Sequence, residues 1–521
     1  MFFGDLLSDL QAWNDRLMVF VLALVGIGFI TMLARILIQR RRGGPGSRKL
    51  RDRFKTRQRR RSRKALQELA RGASVVLGKN LQAWPRQDII LPERSRCLNV
   101  INLGPVGAGK TSYFLSTFIA ADIARPDVAL VLFDGQREMT EQVLALAQRH
   151  HREVVLYPDA GFNPLVGPGG PHAHAALFAD LFAQVSETGT QGASGYYLQK
   201  AQSFLRKTIP LYERAYRQPM LLQELLELCL SDERREGLLA AAAGSPEARE
   251  YTLFCNNWSK SDFDQNLSGL VNFLDRLCVG RNAFLYNQRH APTLAECLEQ
   301  KKVVMIRAGG PVGTQEHTLG LLYMISLQAY AAQRAITHSP HLVSVFLDEA
   351  HLYFTANFPT FIATARKRRV ALQLGFQAFE QLEPFRQTIT TNARTWIVHN
   401  GLLHLDAQVV ADNIGKRNFQ TRSWSYARFR EPHATVSDTW DYLVQPHEIR
   451  GLDANHVLIL TVEGRETAAH VLARKPRLLD LPTTPYHEPA VPMYAPPTIW
   501  AEPENRQPST TSATRQAASD W

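Results

Sequence analysis

Cysteine is scarce in this sequence, and its five copies lie far apart. They are Cys97, Cys229, Cys255, Cys278 and Cys297, and no two form a Cys-x-x-Cys pair. This spacing disfavours both a zinc site and a disulfide framework, and it fits a reducing compartment. With 45% apolar and 21% charged residues, the chain has the composition of a globular protein. Wholesale disorder, collagen and a polytopic membrane bundle are excluded, and the length suggests roughly two to four domains.

Basic residues are concentrated in one short segment, and the rest of the chain has no excess of them. The whole chain carries a net charge of +12, but residues 40–64 contain 14 Lys or Arg and one Asp. The remainder is therefore close to neutral, so the overall charge gives no argument that the globular part binds DNA. The basic segment either holds the chain against anionic lipid or acts as a nucleic-acid-binding arm. Its position beside an apolar run favours the lipid.

One uncharged, mostly apolar run has the length of a membrane span. It covers residues 17–34, between Arg16 and Arg35, and at 1.5 Å per residue it reaches about 27 Å. A cleaved signal peptide or a buried helix are the alternatives. A signal peptide carries its positive charge before the apolar part, whereas here acidic residues precede the run and arginines follow it. We therefore predict a transmembrane helix at 17–38, with residues 1–16 outside and the C-terminal side in the cytoplasm.

Short runs rich in Val, Ile and Leu alternate with helical stretches over most of the chain. Most of these runs do not alternate apolar with polar residues, which is typical of strands covered on both faces. Strand–helix alternation favours an α/β fold with a mainly parallel sheet. The predicted strands are 98–103, 128–133, 154–157, 303–307, 342–347, 370–376 and 395–399.

Two segments depart from this pattern. Between 168 and 297 the strand signals disappear and apolar residues take helical spacing, which predicts an inserted all-α domain. From 481 onward the chain is rich in proline and ends in a polar Ser/Thr/Ala tail, which predicts disorder. The predicted organisation beyond the span is a basic juxtamembrane linker at 39–85, an ATPase core at 86–167 and 298–480, the all-α insertion at 168–297, and a tail at 481–521.

Residues 104–111 match the P-loop pattern GxxxxGK(S/T) in full, between a predicted strand and a predicted helix. The glycines let backbone N–H groups close around phosphates, Lys110 neutralises the β and γ phosphates, and the Thr111 hydroxyl holds Mg²⁺. A chain of this length should show roughly 0.02 chance matches, which disfavours an ordinary glycine-rich turn. The predicted ligands are ATP and Mg²⁺, and the predicted nucleotide contacts are Gly104, Gly107, Gly109, Lys110, Thr111 and Ser112.

Paired carboxylates follow the predicted strand at 342–347. Asp348 suits a Mg²⁺ site, and Glu349 suits the general base that polarises an attacking water. Paired acids at a strand end are also common surface caps, so it is the P-loop upstream that makes this interpretation strong. Residues 348–351 spell the helicase motif DEAH as well. We discount that reading because no further helicase motif accompanies it, and we take His351 as incidental.

A polar residue and a basic cluster flank the predicted strand at 370–376. Gln377 follows the strand, where it is placed to sense the γ-phosphate, although a solvated loop glutamine is the alternative. The basic cluster at 366–369 precedes the strand. It supplies an arginine finger to a neighbouring subunit, or else it is a solvated helix end or a DNA-facing patch. The cluster alone does not identify which arginine is the finger.

The order of these motifs resembles the type IV secretion coupling proteins (TraD/TraG type), which belong to the FtsK/HerA branch of P-loop ATPases. The resemblance covers about residues 86–480. It is carried by the P-loop, the Asp-Glu pair and the Gly-Phe-Gln of the strand end. Further matches are Asp-Gly-Gln-Arg-Glu at 134–138, Gly-Phe-Asn-Pro-Leu at 161–165, Thr-Asn-Ala-Arg-Thr at 391–395 and the segment 443–450.

The resemblance implies a RecA-like P-loop core in a membrane-anchored homo-hexameric ring. Together with the one span predicted at 17–38, it predicts a single-pass protein of the bacterial inner membrane. Such a ring hydrolyses ATP and passes DNA with its relaxosome proteins to the inner-membrane components of a secretion channel. By position, Arg366 matches the family's arginine finger and Gln377 its phosphate sensor. The segment 168–297 matches the all-α domain that meets cargo.

Two features depart from the family pattern. The family commonly has two transmembrane helices, whereas one span is visible here, and the Lys of its Asp-x-Lys-Gly-Glu segment is replaced at Gln136. Two other functions stay open at this point. One is an FtsK/HerA-type DNA pump unconnected with secretion, and the other is a membrane-anchored receptor that recruits protein cargo.

Overall fold

The computed structural model describes residues 72–491, except 83–84, 190–194, 257, 312–313, 336–340, 426–432, 462–468 and 477–480. The predicted N-terminus at 1–16, the transmembrane helix at 17–38 and most of the linker at 39–85 lie outside the described residues. Among the helices within the described ranges, none has both the length and the apolar character needed to cross a membrane.

An eleven-stranded sheet organises the described part of the chain, and a separate two-stranded hairpin accompanies it. The strand order in the sheet is β2-β1-β13-β12-β9-β3-β8-β7-β4-β6-β5. The strands are β1 (Val75–Asn80), β2 (Asp88–Leu91), β3 (Val100–Leu103), β4 (Val128–Phe133), β5 (Val154–Tyr157), β6 (Val303–Ile306), β7 (Leu342–Leu347), β8 (Val370–Phe376), β9 (Thr395–Val398), β10 (Lys416–Ser425), β11 (His433–Tyr442), β12 (His456–Thr461) and β13 (Ala469–Arg474).

The seven strands from β3 to β9 are the predicted ones, and all their pairings with one another are parallel. Every residue of β4, β7 and β8 is buried, as expected for strands covered on both faces. The prediction of an α/β fold with a mainly parallel sheet is confirmed. Because these strands are parallel, the loops that follow them meet at one carboxyl edge, where such folds bind ligands.

The sheet continues beyond β9 with strands that the sequence reading missed. Strand β12 pairs antiparallel with β9, β13 with β12, β1 with β13, and β2 with β1. Two reversals separate β9 from β13, so β13 runs in the same direction as β3. The carboxyl end of β13 therefore lies at the same edge of the sheet as the carboxyl end of β3.

Helices cover both faces of the sheet and fill the segment between β5 and β6. In the described part of that segment, every regular element is a helix. The helices are α1 (Glu93–Arg96), α2 (Lys110–Phe114), α3 (Ala120–Ile123), α4 (Thr140–Arg149), α5 (Gly170–Gly189), α6 (Gly195–Tyr216), α7 (Leu222–Leu230), α8 (Asp232–Ala241), α9 (Pro246–Cys255), α10 (Lys260–Leu277), α11 (Gly280–Leu285), α12 (Leu294–Glu299), α13 (Gln315–Gln333), α14 (Phe358–Thr364), α15 (Arg386–Asn392), α16 (His404–Ile414) and α17 (Pro446–Arg450).

The helices between β5 and β6 share one hydrophobic core with the sheet. Buried side chains of α6, α7 and α10 belong to the same cluster as those of β4, β7 and β8. The segment 161–165 joins the two parts: the Phe162 N–H donates to the Leu285 carbonyl over 2.7 Å, and Asn163 Nδ2 donates to the Met220 carbonyl over 2.9 Å. The ring of Phe162 also packs 4.4 Å from that of Tyr323. This motif therefore has a structural role at the junction.

The beginning of the predicted disordered tail needs correction. Residues 481–491 lie within the described chain and pack back onto the carboxyl edge of the sheet. Tyr486 Oη donates to Asp159 Oδ2 over 2.8 Å, and Glu488 pairs with Arg137 and Arg307. Proline content suggested disorder, but these specific polar contacts order the segment despite its lack of helix or strand.

Candidate active site

The P-loop connects β3 to α2 at the carboxyl edge of the sheet. Gly107 and Gly109 have φ of 77° and 82°, a left-handed conformation that favours glycine. A Cβ on Gly104 would lie 2.7 Å from the Cβ of His399, so only glycine fits there. These glycines let the loop curl over the start of α2. Ser112 lies in the first turn of that helix, whose N-terminal amide groups face the loop.

Lys110 is the first residue of α2, and its side chain is buried beneath the loop. Its Nζ donates to the Pro105 carbonyl over 3.1 Å, and its residue is 7% exposed. Burial lowers the pKa of Lys110, although the carboxylates of Glu349, Asp348 and Glu138 act in the opposite direction. A cation held in this way among acidic groups and loop amides suits a polyanionic ligand.

Thr111 and Asp348 meet across the gap between α2 and the end of β7. Thr111 Oγ1 donates to Asp348 Oδ2 over 2.8 Å, while the buried Asp348 Oδ1 has no hydrogen-bond partner among the described residues. Burial raises the pKa of Asp348 to about 6, even though the Thr111 hydrogen bond and the Lys110 charge lower it. A hydroxyl beside an unsatisfied carboxylate oxygen is a donor set that fits Mg²⁺.

Glu349 and Gln377 form a second pair beside the first. Gln377 Nε2 donates to Glu349 Oε1 over 2.8 Å, and the Gln377 N–H donates to Gln381 Oε1 over 2.7 Å. Glu349 has a φ of 54°, which is uncommon for a residue other than glycine and costs on the order of 1 kcal/mol. The turn thus holds the Glu349 carboxylate towards the end of β8.

His351, which the sequence analysis treats as incidental, also faces Glu349. Its Nδ1 lies 3.7 Å from Glu349 Oε2. Burial lowers the pKa of His351, although the charge of Glu349 opposes this. The ring is therefore a neutral neighbour of the carboxylate at neutral pH.

Three residues that the sequence did not single out contact the backbone of the P-loop or support it. His399 follows β9 and is fully buried. Its Nε2 lies 2.7 Å from Asn102 Oδ1, and its Nδ1 lies 3.1 Å from the Ala108 carbonyl. Asn102 Nδ2 in turn donates to the Lys110 carbonyl over 3.2 Å. Lys475, which follows β13, donates to the Ala108 carbonyl over 2.8 Å.

The charge state of His399 follows from its surroundings. Burial lowers its pKa to about 3, and the positive charges of Lys475 and Lys110 act in the same direction, although the Ala108 carbonyl opposes them. The ring is therefore neutral at physiological pH. The only sequence signal for it was a polar residue at the end of an apolar strand.

Arg366 lies far from the other predicted site residues of its own chain. It belongs to a short 3₁₀ turn (Ala365–Arg368) before β8, and β8 is parallel to β3, which ends at the P-loop. Its turn is therefore at the opposite, amino edge of the sheet, about 20 Å away along the strand. Arg366 is exposed there. The structure thus brings together Lys110, Thr111, Asp348, Glu349 and Gln377, and leaves Arg366 apart.

A second charged cluster lies on the same edge as the P-loop, after β4, β5 and β6. Asp159 accepts from Arg281 over 2.9 Å and from Arg307 over 2.8 Å. Glu488 of the returning C-terminal segment pairs with Arg281, with Arg137 over 2.5 Å and with Arg307 over 3.1 Å. Burial raises the pKa of Glu488, but the Arg281 hydrogen bond and the surrounding arginine charges outweigh it and hold the pKa below its usual value.

The sheet and the loop at 104–111 define a P-loop nucleotide-binding fold. Residues 342–454 match the family model described as the TraM recognition site of TraD and TraG. Among curated proteins, none matches the sequence significantly. The resemblance to the TraD/TraG-type coupling proteins, predicted from the order of motifs, is confirmed by this segment and by the fold that the following solved structures share.

The solved structures that the chain resembles include three of one plasmid coupling protein, TrwB. The unbound monoclinic form of the bacterial conjugative coupling protein TrwBdeltaN70 aligns with a TM-score of 0.54 and 13% identity, over 75% of this chain and 87% of that one. TrwB with the non-hydrolysable ATP analogue ADPNP aligns with a TM-score of 0.53 and 13% identity, over 74% of this chain and 88% of that one. TrwB with ADP and Mg²⁺ aligns with a TM-score of 0.51 and 13% identity, over 78% of this chain and 89% of that one. At this identity the likeness is one of fold.

Proposed function

We propose that this protein is a membrane-anchored ATPase that hydrolyses MgATP and couples relaxosome-bound DNA to a type IV secretion channel. The observation that carries the proposal is the pairing of Thr111 with Asp348 beside the pairing of Gln377 with Glu349, directly under a P-loop. The match of residues 342–454 to the TraD/TraG model supports the coupling role. TrwB structures in complex with an ATP analogue and with ADP and Mg²⁺ support the choice of ligand.

The phosphates of ATP bind to the N–H groups of the P-loop and to Lys110. These amides and the start of α2 favour negative charge, and the lowered pKa of Lys110 reflects a cation already partly removed from water. The Thr111 hydroxyl and the Asp348 carboxylate would hold Mg²⁺, which when bound would neutralise charge on the phosphates. Asn102 and His399 hold the loop backbone in place through their contacts with the Lys110 and Ala108 carbonyls.

Glu349 acts as the general base. Its carboxylate accepts a proton from the attacking water as the water's oxygen bonds to the γ-phosphorus. The bond from the γ-phosphorus to the oxygen that bridges it to the β-phosphate breaks, and ADP leaves with that oxygen. The hydrogen bond from Gln377 fixes Oε1 of the carboxylate, while Oε2, with the His351 ring 3.7 Å away, accepts from the water. Gln377 is therefore placed to sense the γ-phosphate, and loss of that phosphate changes what its amide contacts. Such a change transmits the state of the nucleotide to β8.

We assign the remaining parts by family resemblance. The chain forms a homo-hexamer anchored in the bacterial inner membrane by the helix at 17–38, with the ATPase part in the cytoplasm and the basic segment against lipid. Arg366 acts in a neighbouring subunit, which its exposed position at the far edge of the sheet permits. The segment 168–297 meets cargo, and the description of the matching model, a TraM recognition site, supports a relaxosome protein as partner.

Turnover by the full chain in detergent or nanodiscs tests the proposal. We expect MgATP hydrolysis that DNA stimulates and that Lys110→Ala abolishes, together with loss of plasmid transfer from a donor that carries only this variant. Absence of MgATP turnover under every condition would contradict the ATPase. DNA-stimulated turnover combined with normal plasmid transfer in the absence of the gene would favour the DNA pump unconnected with secretion.

A further inference from the structure

After the antiparallel strands β12 and β13, the chain lies again at the P-loop edge of the sheet. Strand β13 runs parallel to β3 after two reversals, so the residue that follows it emerges at the P-loop edge. That residue is Lys475. Its N–H donates to the Asn455 carbonyl over 2.8 Å, which fixes the backbone from which the side chain extends.

The amine of Lys475 contacts the P-loop at Ala108 and Gly109. Its Nζ donates to the Ala108 carbonyl over 2.8 Å, and a Cβ placed on Gly109 would lie 3.7 Å from it. In the P-loop pattern, the N–H groups around these two positions are among those that surround the phosphates. Lys110 Nζ rests on another carbonyl of the same loop, that of Pro105. Two lysines, 365 positions apart in sequence, thus converge on one turn.

Among the residues that the structure describes, no carboxylate forms an ion pair with Lys475. Its neighbour His399 is neutral. The side chain is half-buried, and burial lowers the pKa of Lys475. A partly desolvated cation without an opposite charge is unfavourable unless an anion binds beside it.

We propose that Lys475 is a second phosphate-binding lysine of the site, and that it contacts the polyphosphate of a bound nucleoside triphosphate. This inference rests on the proposed nucleotide-binding function of the P-loop. The competing role is purely structural, namely a clamp on the Ala108 carbonyl. The two roles differ because the clamp stabilises the nucleotide-free protein, whereas the phosphate ligand stabilises the complex.

Three substitutions and one control separate these roles. Lys475→Met removes the charge and the donor but keeps the aliphatic stem, and Lys475→Arg keeps the charge. Lys475→Gln keeps a donor for the Ala108 carbonyl without the charge. Arg474→Met is the matched control, because it removes an exposed cation one residue earlier, on the other face of β13.

The measurement is the dissociation constant of the magnesium complex of a non-hydrolysable ATP analogue, with the melting temperature of the nucleotide-free protein recorded in parallel. We expect Kd to rise about tenfold or more for Lys475→Met and Lys475→Gln, as for loss of a charged hydrogen bond. Lys475→Arg and Arg474→Met should stay within about threefold of wild type, and the melting temperature of Lys475→Gln should match that of wild type.

The outcomes are distinguishable. This inference would be overturned if wild type binds the analogue and Lys475→Met and Lys475→Gln bind it with the same Kd. The nucleotide-binding function would then stand. A lower melting temperature with unchanged Kd would overturn it in favour of the clamp. A wild type that does not bind the analogue would overturn the proposed function of the P-loop together with this inference.

Discussion

Gln377 Nε2 and Glu349 Oε1 lie 2.8 Å apart, and this hydrogen bond joins the tips of two adjacent parallel strands. One strand ends in the acidic pair that faces the P-loop, and the other ends in Gly-Phe-Gln. The bond therefore couples the orientation of the carboxylate to the position of β8. It also leaves Glu349 as a hydrogen-bond acceptor at the place where an attacking water needs one.

Glu349→Gln should separate binding from turnover. The substitution keeps the shape of the side chain and removes the group that takes the proton. We expect MgATP binding within a few-fold of wild type and a loss of kcat of about 100-fold or more. Lys110→Ala serves as the contrast, because it should lose binding itself. Glu349→Gln protein that hydrolyses ATP at the wild-type rate would show that another residue is the base.

Gln377→Ala should lower kcat more than it weakens binding, because the amide contacts Glu349 and not the P-loop. The expected fall in kcat is about tenfold. Gln387→Ala is the control, since Gln387 is exposed on α15 and is absent from the site. Equal losses in the two variants, or a change confined to the dissociation constant of ATP, would count against the sensor role.

Arg366 should act across a subunit interface. Neither Arg366→Ala nor Lys110→Ala subunits should hydrolyse ATP alone, but a mixture of the two should recover part of the activity. A mixed interface can pair an intact P-loop with an intact arginine. Lys367→Ala is the matched control, because Lys367 is an exposed cation of the same turn. Lys367→Ala protein should hydrolyse ATP at the wild-type rate. No recovery at any ratio, in rings shown to be mixed, would refute the role in trans.

Asp348 should make the stability of the nucleotide-free protein depend on pH. Its pKa is about 6 in the fold against an ordinary 3.8, so the folded state binds the proton more tightly than the unfolded state. The stabilisation is therefore fully present below pH 3.8 and is lost as pH rises through about 6, by up to about 3 kcal/mol.

Asp348→Asn removes this titration while preserving the shape. In buffer with a chelator, the unfolding free energy of the variant relative to wild type should rise between pH 4 and pH 7. Urea denaturation at intervals of half a pH unit measures the difference. A difference that stays flat across the window would mean that the carboxyl has no raised pKa in the fold.

Glu488 should hold the C-terminal segment against the sheet. Glu488→Gln weakens the contacts with Arg137, Arg281 and Arg307, so we expect faster proteolytic cleavage within 481–491 and a loss of about 1 kcal/mol of unfolding free energy. His487→Gln is the control, because His487 is exposed in the same segment. Equal cleavage rates in both variants and wild type would show that these ion pairs do not hold the segment.

The parallel part of the fold could be predicted because its strands carry their own signal. Runs such as 128–133 and 342–347 are uninterrupted and apolar, since helices cover them on both faces. Two of the antiparallel strands gave weaker signals: β2 has four residues, of which one is buried, and β13 places His470 and Arg474 among apolar residues. Strands this short or interrupted resemble loops or short helices in sequence.

The site residues that lie within a contiguous sequence motif could be predicted. Lys110, Thr111, Asp348 and Glu349 each lie in a motif with a chemical reason for its spacing. His399 and Lys475 do not, because each is a single polar residue after a strand, and only the strand order brings both to the Ala108 carbonyl. The ordered part of the tail was missed for a related reason. Its contacts are to arginines that lie 181 to 351 positions earlier.

The antiparallel end of the sheet also fixes when during synthesis the nucleotide site can be completed. The P-loop leaves the ribosome early, but the lysine that binds the Ala108 carbonyl comes 367 positions later. At bacterial elongation rates this is roughly 20 to 70 s. For most of that interval the loop lacks both the acidic pair that follows β7 and the strands β12 and β13. A nascent chain therefore cannot assemble the complete site until Lys475 has been made.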